Sequence, residues 1–129
     1  YRICEGSGQL HMTGLDFDRQ FDAVPGEVAE VSPRIRRVLC GNASPYTFKG
    51  TSTFIVGHGQ VAVIDPGPDD PAHLQALLDA LRGETVTHIV VTHSHADHSP
   101  LAARLKAATG ASTCAFGAVA GGGCAGCFA

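Results

Sequence analysis

The chain contains 129 residues, of which 44% are hydrophobic and 16% are charged. This composition is typical of one small globular domain and excludes an intrinsically disordered chain. The formal net charge of −3 provides no basic surface and disfavours nucleic acid as a partner. No apolar run approaches the length that a membrane span requires. Five cysteines at scattered positions do not indicate a disulfide framework, so we predict a cytoplasmic protein.

The first part of the chain shows little hydrophobic periodicity. Several glycines interrupt residues 1–30, which we therefore predict to be an irregular lead-in. Runs of β-branched and apolar residues then predict three strands, at residues 35–39, 51–56 and 61–64. The tight turn between the last two strands contains His58, which we predict to be an exposed turn residue and not a metal ligand.

The segment after the third predicted strand indicates an amphipathic helix. Residues 65–68 end the strand sharply, Asp70 is a suitable N-cap, and Pro71 suits the first helical position. Gly83 marks the end of the helix. His73 lies off the apolar stripe, so we predict a solvated position for it. The stripe, at helical spacing, consists of Leu74, Leu77, Leu78 and Leu81.

A further apolar run, at residues 88–92, predicts a buried strand. Together with strand 61–64 and the helix between them, it predicts a β-α-β unit with two parallel strands. His88 begins this strand, at the end remote from the following loop, and we do not expect it to bind metal. A second helix is predicted for residues 100–109, with Ser99 as its N-cap. Its buried side chains would be Leu101, Leu105 and Ala108.

A short strand is predicted for residues 111–116, and the character of the sequence changes after it. Residues 117–129 contain no charged side chain and consist largely of glycine and alanine, a composition that predicts a disordered tail. The spacing Cys124-x-x-Cys127 occurs within this tail. A functional thiol pair normally opens a helix or faces a second pair, so we assign no role to this motif.

Four potential metal ligands lie within six residues of the loop that follows strand 88–92: His93, His95, Asp97 and His98. A loop at the C-terminal end of a buried strand is the usual place for a site in an α/β sheet, and it can turn neighbouring side chains towards one point. Imidazole nitrogen and carboxylate oxygen suit zinc, and also iron or manganese. Four ligands in one short loop can hardly all converge on one ion. They can be divided more easily between two neighbouring ions.

Three segments resemble the metallo-β-lactamase superfamily of hydrolases. The signature His93-x-His95-x-Asp97-His98 follows a buried strand, and residues 61–67 resemble the strand and aspartate that precede it in that family. Residues 48–57 resemble the family's N-terminal strand. The similarity extends over about residues 31–116 and most resembles the glyoxalase II-like and β-lactamase-like-2 branch. Asp65 by itself could be only a turn-forming residue, but the resemblance favours a supporting role, in which it orients the histidines by hydrogen bonds.

The resemblance implies an α/β fold, namely the N-terminal half of a four-layer αββα sandwich, with residues 31–116 forming a partial domain. It also implies a metal-dependent hydrolase of a small-molecule substrate, in which metal-activated hydroxide attacks an ester, thioester, lactam or phosphodiester. His93 and His95 would then bind one zinc ion, and Asp97 and His98 would bind the second. Asp97 would also have a catalytic role, since it would orient the nucleophile.

The family completes its site with a later histidine, a bridging aspartate and a final histidine. In this chain no histidine follows His98 and no acidic residue follows Asp97. We therefore expect a truncated fragment that is inactive on its own and that leaves one apolar face of its sheet uncovered. The alternatives are a non-catalytic metal-binding α/β module that uses only the four ligands of the loop, and an inert α/β domain with no activity of its own.

Overall fold

A mixed β-sheet with two helices organises the chain. A computed structural model of the protein describes residues 22–115 and the backbone of residues 126–128. The strands occur in the sheet in their sequence order. They are β1 (Val28–Ser32), β2 (Ile35–Leu39), β3 (Ser52–His58), β4 (Gln60–Ile64), β5 (Thr85–Val91), β6 (Ser112–Ala115) and β7 (Gly126–Phe128). The helices are α1 (Pro71–Ala80) and α2 (Ala102–Thr109).

Two kinds of strand pairing meet in the middle of the sheet. Strands β1 to β4 form an antiparallel meander, in which Gly59, with a φ of 73°, allows the tight turn between β3 and β4. His58 precedes this turn and is exposed, as predicted, with its Nε2 2.8 Å from the Pro33 carbonyl oxygen. Strand β5 pairs in parallel with β4 and β6, which confirms the predicted β4-α1-β5 unit. The C-terminal ends of β4 and β5 are therefore neighbours.

Helix α1 forms where the sequence predicts it, because a side chain caps its first turn. Asp70 Oδ1 accepts hydrogen bonds from the backbone N–H groups of Ala72 and His73, at 2.8 and 3.4 Å. Pro71 occupies the first helical position. The helix ends at Ala80, slightly before the predicted stop, and a turn follows in which Gly83 has a left-handed φ of 81°.

Both helices cover the same face of the sheet. One continuous cluster of buried side chains joins them to the inward-facing residues of β2 to β5, and its members on and next to the helices are Leu77, Leu81, Leu101, Ala102 and Leu105. The apolar strand residues that point to the opposite face are only half-buried: Phe54, Val56, Ile64 and Val90. Within the described ranges, neither helix has the length and apolarity that crossing a membrane requires.

The two ends of the described chain differ from the sequence prediction. Strand β1 begins at Val28 and pairs with β2, so the irregular lead-in does not extend to residue 30, and residues 1–21 lie outside the described part. The predicted tail also lies outside it, except for residues 126–128, which form β7 beside β6. Backbone pairing with a neighbouring strand explains both β1 and β7. It satisfies the backbone N–H and C=O groups regardless of which side chains the strand carries. Cys114 is disulfide-bonded, although the cysteine spacing does not indicate a disulfide.

Helix α2 begins two residues later than predicted, at Ala102. Ser99 does not cap it, because its hydroxyl donates to the His95 carbonyl oxygen at 3.2 Å instead. The residues between Ser99 and the helix form turns. The inward face of the helix contains Ala102 and Leu105, whereas Ala108 is exposed, so its predicted burial is wrong.

His73 is buried, so its predicted solvated position is wrong. It is 3% exposed, and its Nε2 lies 2.9 Å from the Thr53 hydroxyl oxygen on β3. Position 73 lies four residues before Leu77 and therefore shares its inward face. Burial lowers the pKa of the imidazole, against the opposing effects of the Asp70 carboxylate and the Pro66 carbonyl. The ring is therefore neutral at neutral pH.

Replacing Asp70 by alanine should destabilise the protein by about 1 kcal/mol, because two N–H groups in the first turn of α1 lose their acceptor. Asp69→Ala is the matched control, since the neighbouring carboxylate pairs with Arg104 at the surface, and loss of such a pair changes stability little. Urea unfolding followed by circular dichroism measures the free energy of unfolding of both variants. Equal destabilisation by the two substitutions would contradict a specific cap.

Substituting His73 by glutamine should reduce the loss of stability on acidification. The pKa of His73 is lowered in the folded protein, so the unfolded chain binds the proton more readily. The folded state is favoured above the ordinary histidine pKa of about 6.5, and this contribution is lost as the pH falls below that value. Urea unfolding between about pH 7.5 and pH 5, with EDTA present, measures the slope. An unchanged slope in His73→Gln would count against a buried neutral ring.

Candidate metal centre

The ends of β4 and β5 carry the residues from which the site is built. The two strands are parallel, so Asp65, after β4, and Thr92, after β5, leave the sheet side by side. The Asp65 backbone N–H donates to the Val90 carbonyl oxygen at 2.8 Å, which extends the pairing of the strands. Sites of α/β sheets usually lie at this carboxyl edge of parallel strands.

The Asp65 carboxylate holds the histidine loop, which we define as residues 92–99. Asp65 is 8% exposed. Its Oδ1 accepts a hydrogen bond from the Thr92 backbone N–H at 2.8 Å, and its Oδ2 accepts one from the Thr92 hydroxyl at 2.7 Å. Hydrogen bonds to a charged acceptor are stronger than neutral ones. The carboxylate therefore ties the end of β4 to the first residue of the loop.

Hydrogen bonding at Thr92 selects one tautomer of His93. The Thr92 hydroxyl donates its only proton to Asp65, so its 2.9 Å contact with His93 Nδ1 requires Nδ1 to donate. His93 Nε2 then carries a lone pair and is available as a metal ligand. This chain of aspartate, threonine and histidine orients the ring, as the outer partners of metal-binding histidines commonly do.

The His98 ring lies between two carboxylates. Its Nδ1 is 3.2 Å from Asp65 Oδ2, and its Nε2 is 3.2 Å from Asp97 Oδ2. Nδ1 is buried and forms no hydrogen bond to any described residue. A buried polar nitrogen that makes no hydrogen bond is unfavourable even beside a carboxylate, and a bound ion would satisfy both groups.

Three potential ligands converge in this way: Asp65, His93 and His98. Each offers one ligand atom, and the three atoms lie within 4.8 Å of one another. The centroids of the two imidazole rings are 4.1 Å apart. Two imidazoles and a carboxylate, with a buried nitrogen among them that makes no hydrogen bond to a described residue, fit a divalent ion such as zinc. The sequence predicts Asp65 as a supporting residue, and its carboxylate also lies close enough to be a ligand.

The other two predicted ligands lie at the edge of this group. The exposed His95 ring meets the His93 ring edge-on, with centroids 4.6 Å apart. Asp97 contacts His98, and its side chain is 33% exposed. Within the described part of the chain, neither residue joins the three convergent atoms. The division of the four loop residues into two pairs, one for each of two ions, stays a prediction.

An open groove of about 680 Å³ borders the exposed side of the site. It lies between the histidine loop and residues 41–50, which join β2 to β3. His95 and Asp97 line one side, and Asn42, Tyr46 and Thr47 line the other. The Tyr46 side chain is almost fully exposed. A few polar groups beside an aromatic ring are typical of sites that bind and orient a small molecule.

Sequence reasoning did not identify Thr92, although this residue makes both hydrogen bonds to Asp65 and the contact with His93. The available signal was its position, directly after a buried strand and directly before the potential ligands. A hydroxyl group at such a position can donate to a carboxylate and accept from an imidazole at the same time.

The amino-acid sequence matches the profile of a known family, described as the metallo-beta-lactamase superfamily, over residues 45–120. The matched residues include β3 to β6 and the whole histidine loop. The match therefore covers more than half of the chain and every potential metal ligand described above.

Curated relatives match a similar share of the chain. An atrochrysone carboxyl ACP thioesterase from Aspergillus terreus is 39% identical over 87 residues, which are 64% of this chain and 27% of the relative. A lactamase-like protein from Pestalotiopsis microspora is 37% identical over 76 residues, which are 57% of this chain and 24% of the relative. The chain thus spans about a quarter of the length of these relatives.

Solved structures of similar proteins share the fold. A beta-lactamase domain protein from Burkholderia ambifaria superimposes with a TM-score of 0.54 and 27% identity, over 68% of this chain and 28% of that one. A metallo-beta-lactamase from Cronobacter sakazakii with an HARLDQ motif superimposes with a TM-score of 0.52 and 26% identity, over 69% of this chain and 33% of that one.

We expect the chain to bind Zn²⁺ through Asp65, His93 and His98. Calorimetric titration with Zn²⁺ should show affinity at least about tenfold weaker in His98→Ala, because one of three convergent ligands is lost. His88→Ala is the control, since this exposed histidine lies within β5, away from the loop. Unchanged affinity in His98→Ala would contradict the site. A loss in His95→Ala as large as that in His98→Ala would place His95 among the ligands.

Proposed function

Because the chain belongs to the metallo-beta-lactamase superfamily, we propose that its histidine loop forms part of the metal centre of a hydrolase that cleaves thioesters. Membership of the family confirms the resemblance stated from the sequence, and the similar solved structures confirm the predicted fold class. The observation that carries the proposal is the convergence of one atom each from Asp65, His93 and His98 within 4.8 Å.

We propose zinc as the metal of this centre. Two imidazoles and one carboxylate are a donor set that zinc accepts while keeping a coordination position open for chemistry. Iron or manganese would also suit these donors. The resemblance implies two ions in a complete site, and the exposed His95 and the partly exposed Asp97 would serve the second. Further ligands would then come from a longer protein.

The residues of this chain have distinct roles in the proposed reaction. A divalent ion bound here would supply a nucleophile at neutral pH and polarise the carbonyl group under attack. Asp65 and Thr92 keep His93 Nε2 free to bind, through the hydrogen bonds that fix the ring. Asp97 lies beside His98 and lines the groove, which supports a role for its carboxylate in orienting the nucleophile towards a substrate there.

The choice of a thioester rests on the relatives and on the groove. One relative is named as a thioesterase of an acyl carrier protein. Among the described residues that line the groove there is no lysine or arginine, which disfavours a phosphodiester, because phosphate binding normally uses such cations. Hydroxyl and amide groups, with the Tyr46 ring, would instead bind an uncharged acyl group.

A non-catalytic metal-binding module is the second candidate function. The three convergent ligand atoms favour it, because all three belong to this chain and come together without a partner protein. Since the chain spans about a quarter of the length of the relatives, we propose hydrolysis for a protein that contains the chain together with further ligands. The inactivity of the chain alone stays a prediction.

A chimera tests the proposed activity. The matching segment of the Aspergillus terreus thioesterase would be replaced by the corresponding residues of this chain. We expect the chimera with Zn²⁺ to hydrolyse an N-acetylcysteamine thioester of an aromatic acid, and this chain alone not to do so. Asp97→Asn in the chimera should lower kcat by about 100-fold. His58→Gln, at the exposed turn between β3 and β4, should leave kcat unchanged.

Two controls test separately which bond is cleaved and whether the chimera binds metal. Equal hydrolysis of the corresponding oxygen ester would contradict the choice of a thioester. A chimera that folds and binds Zn²⁺ but hydrolyses neither substrate would favour the metal-binding module.

A further inference from the structure

We propose that His73 and Thr53 are positioning residues of the metal centre, which act through the backbone of Asp65 and Gly67. Neither residue belongs to the group of convergent ligand atoms, and neither lines the groove. The proposal rests on the proposed function in one respect, because it takes Asp65 and His98 to be metal ligands. The hydrogen bonds that the proposal invokes are part of the fold, so they can be tested without metal.

Thr53 holds the carbonyl group of Asp65. It is fully buried on β3, and its hydroxyl donates to the Asp65 carbonyl oxygen at 2.8 Å. Since that hydroxyl has one proton, its 2.9 Å contact with His73 Nε2 requires the histidine to donate. His73 therefore carries a proton on Nε2, and this N–H group fixes the direction in which the Thr53 hydroxyl points.

Asp65 requires this support because its backbone is in the left-handed region, with a φ of 49°. That conformation is less favourable for residues with a Cβ atom than for glycine, although aspartate tolerates it better than most. Its N–H is bonded to Val90, its carbonyl to Thr53, and both carboxylate oxygens to Thr92. A strained conformation persists where the surroundings determine it from several sides, and such positions are concentrated at functional sites.

The His73 ring also supports the second ligand, through Gly67. A Cβ atom on Gly67 would lie 3.2 Å from His73 Cδ2 and 3.3 Å from Nε2, so the glycine backbone packs directly on the ring. The Gly67 N–H donates to the His98 carbonyl oxygen at 3.0 Å, and the Gly67 carbonyl accepts from the Leu101 N–H at 3.1 Å. One buried ring thus supports the backbone next to both Asp65 and His98.

Core packing alone does not explain this pair of residues. An apolar side chain at position 73 would fill the space without the unfavourable burial of an imidazole. Thr53 likewise occupies an inward-facing position on a strand, where apolar residues are usual. Buried hydrogen-bond networks of this kind fix one arrangement of the groups that they connect.

Hydrogen exchange in the metal-free protein tests the proposal. Thr53→Val removes the hydroxyl at nearly constant volume and should accelerate exchange of the Thr92 amide, which donates to Asp65, by about tenfold. Thr53→Ser keeps the hydroxyl and should preserve the protection of this amide. Thr51→Val is the matched control, because Thr51 is buried just before β3 and is bonded to Asn42.

A second pair of variants tests position 73. His73→Leu removes the donor, whereas His73→Gln keeps an N–H group that can reach the Thr53 hydroxyl. We expect faster Thr92 exchange in His73→Leu and exchange close to that of the natural protein in His73→Gln. Zn²⁺ affinity should follow the same order, with a loss of about tenfold in His73→Leu, which a purely structural role would not produce.

The outcomes distinguish this inference from the proposed function. Equal Thr92 exchange in Thr53→Val and Thr51→Val would overturn the inference. Should Thr53→Val fail to fold, equal exchange in His73→Leu and His73→Gln would overturn it in the same way. Absence of Zn²⁺ binding by the natural protein would count against the proposed function, while the exchange measurements would still decide whether the two residues hold Asp65.

Discussion

The two hydrogen bonds that the Asp65 carboxylate accepts from Thr92 are the interaction on which the rest of the site depends. They join the ends of β4 and β5, which are neighbours only because these strands pair in parallel. The same Thr92 hydroxyl then determines which nitrogen of His93 carries the proton. The sheet therefore sets the chemistry as well as the position of the ligands, since a shift in the pairing would separate the carboxylate from the loop.

The elements with strong local signals could be predicted from the sequence. The strand at residues 35–39 and the start of α1, with Asp70 and Pro71, form where they are predicted, because a short apolar strand pattern and a helix cap depend on near neighbours only. Ser99 carries a similar local signal but does not start α2. Its hydroxyl is bonded to the His95 carbonyl within the loop, and sequence spacing does not reveal such competing bonds.

The candidate site shows what the sequence could not predict. Four potential ligands in one loop were evident, yet the structure brings together two of them with Asp65, from another strand. Side-chain directions in a loop depend on its turns, which have no fixed period as strands and helices do. His73 was missed for a different reason. Its face of α1 was identified by leucines alone, although the spacing from His73 to Leu77 is helical and places both residues inward.

The site has a buried side and an exposed side, and the two sides differ in what they can do. Asp65 and His98 Nδ1 are buried beside the sheet, where electrostatic interactions are strong and the backbone is held by several hydrogen bonds. His95, which is exposed, and Asp97, which is partly exposed, border the groove. An ion held from the buried side would keep a fixed position. A molecule that enters the groove would meet it from the exposed side, so in the proposed function metal binding and substrate access would use opposite faces of one short loop.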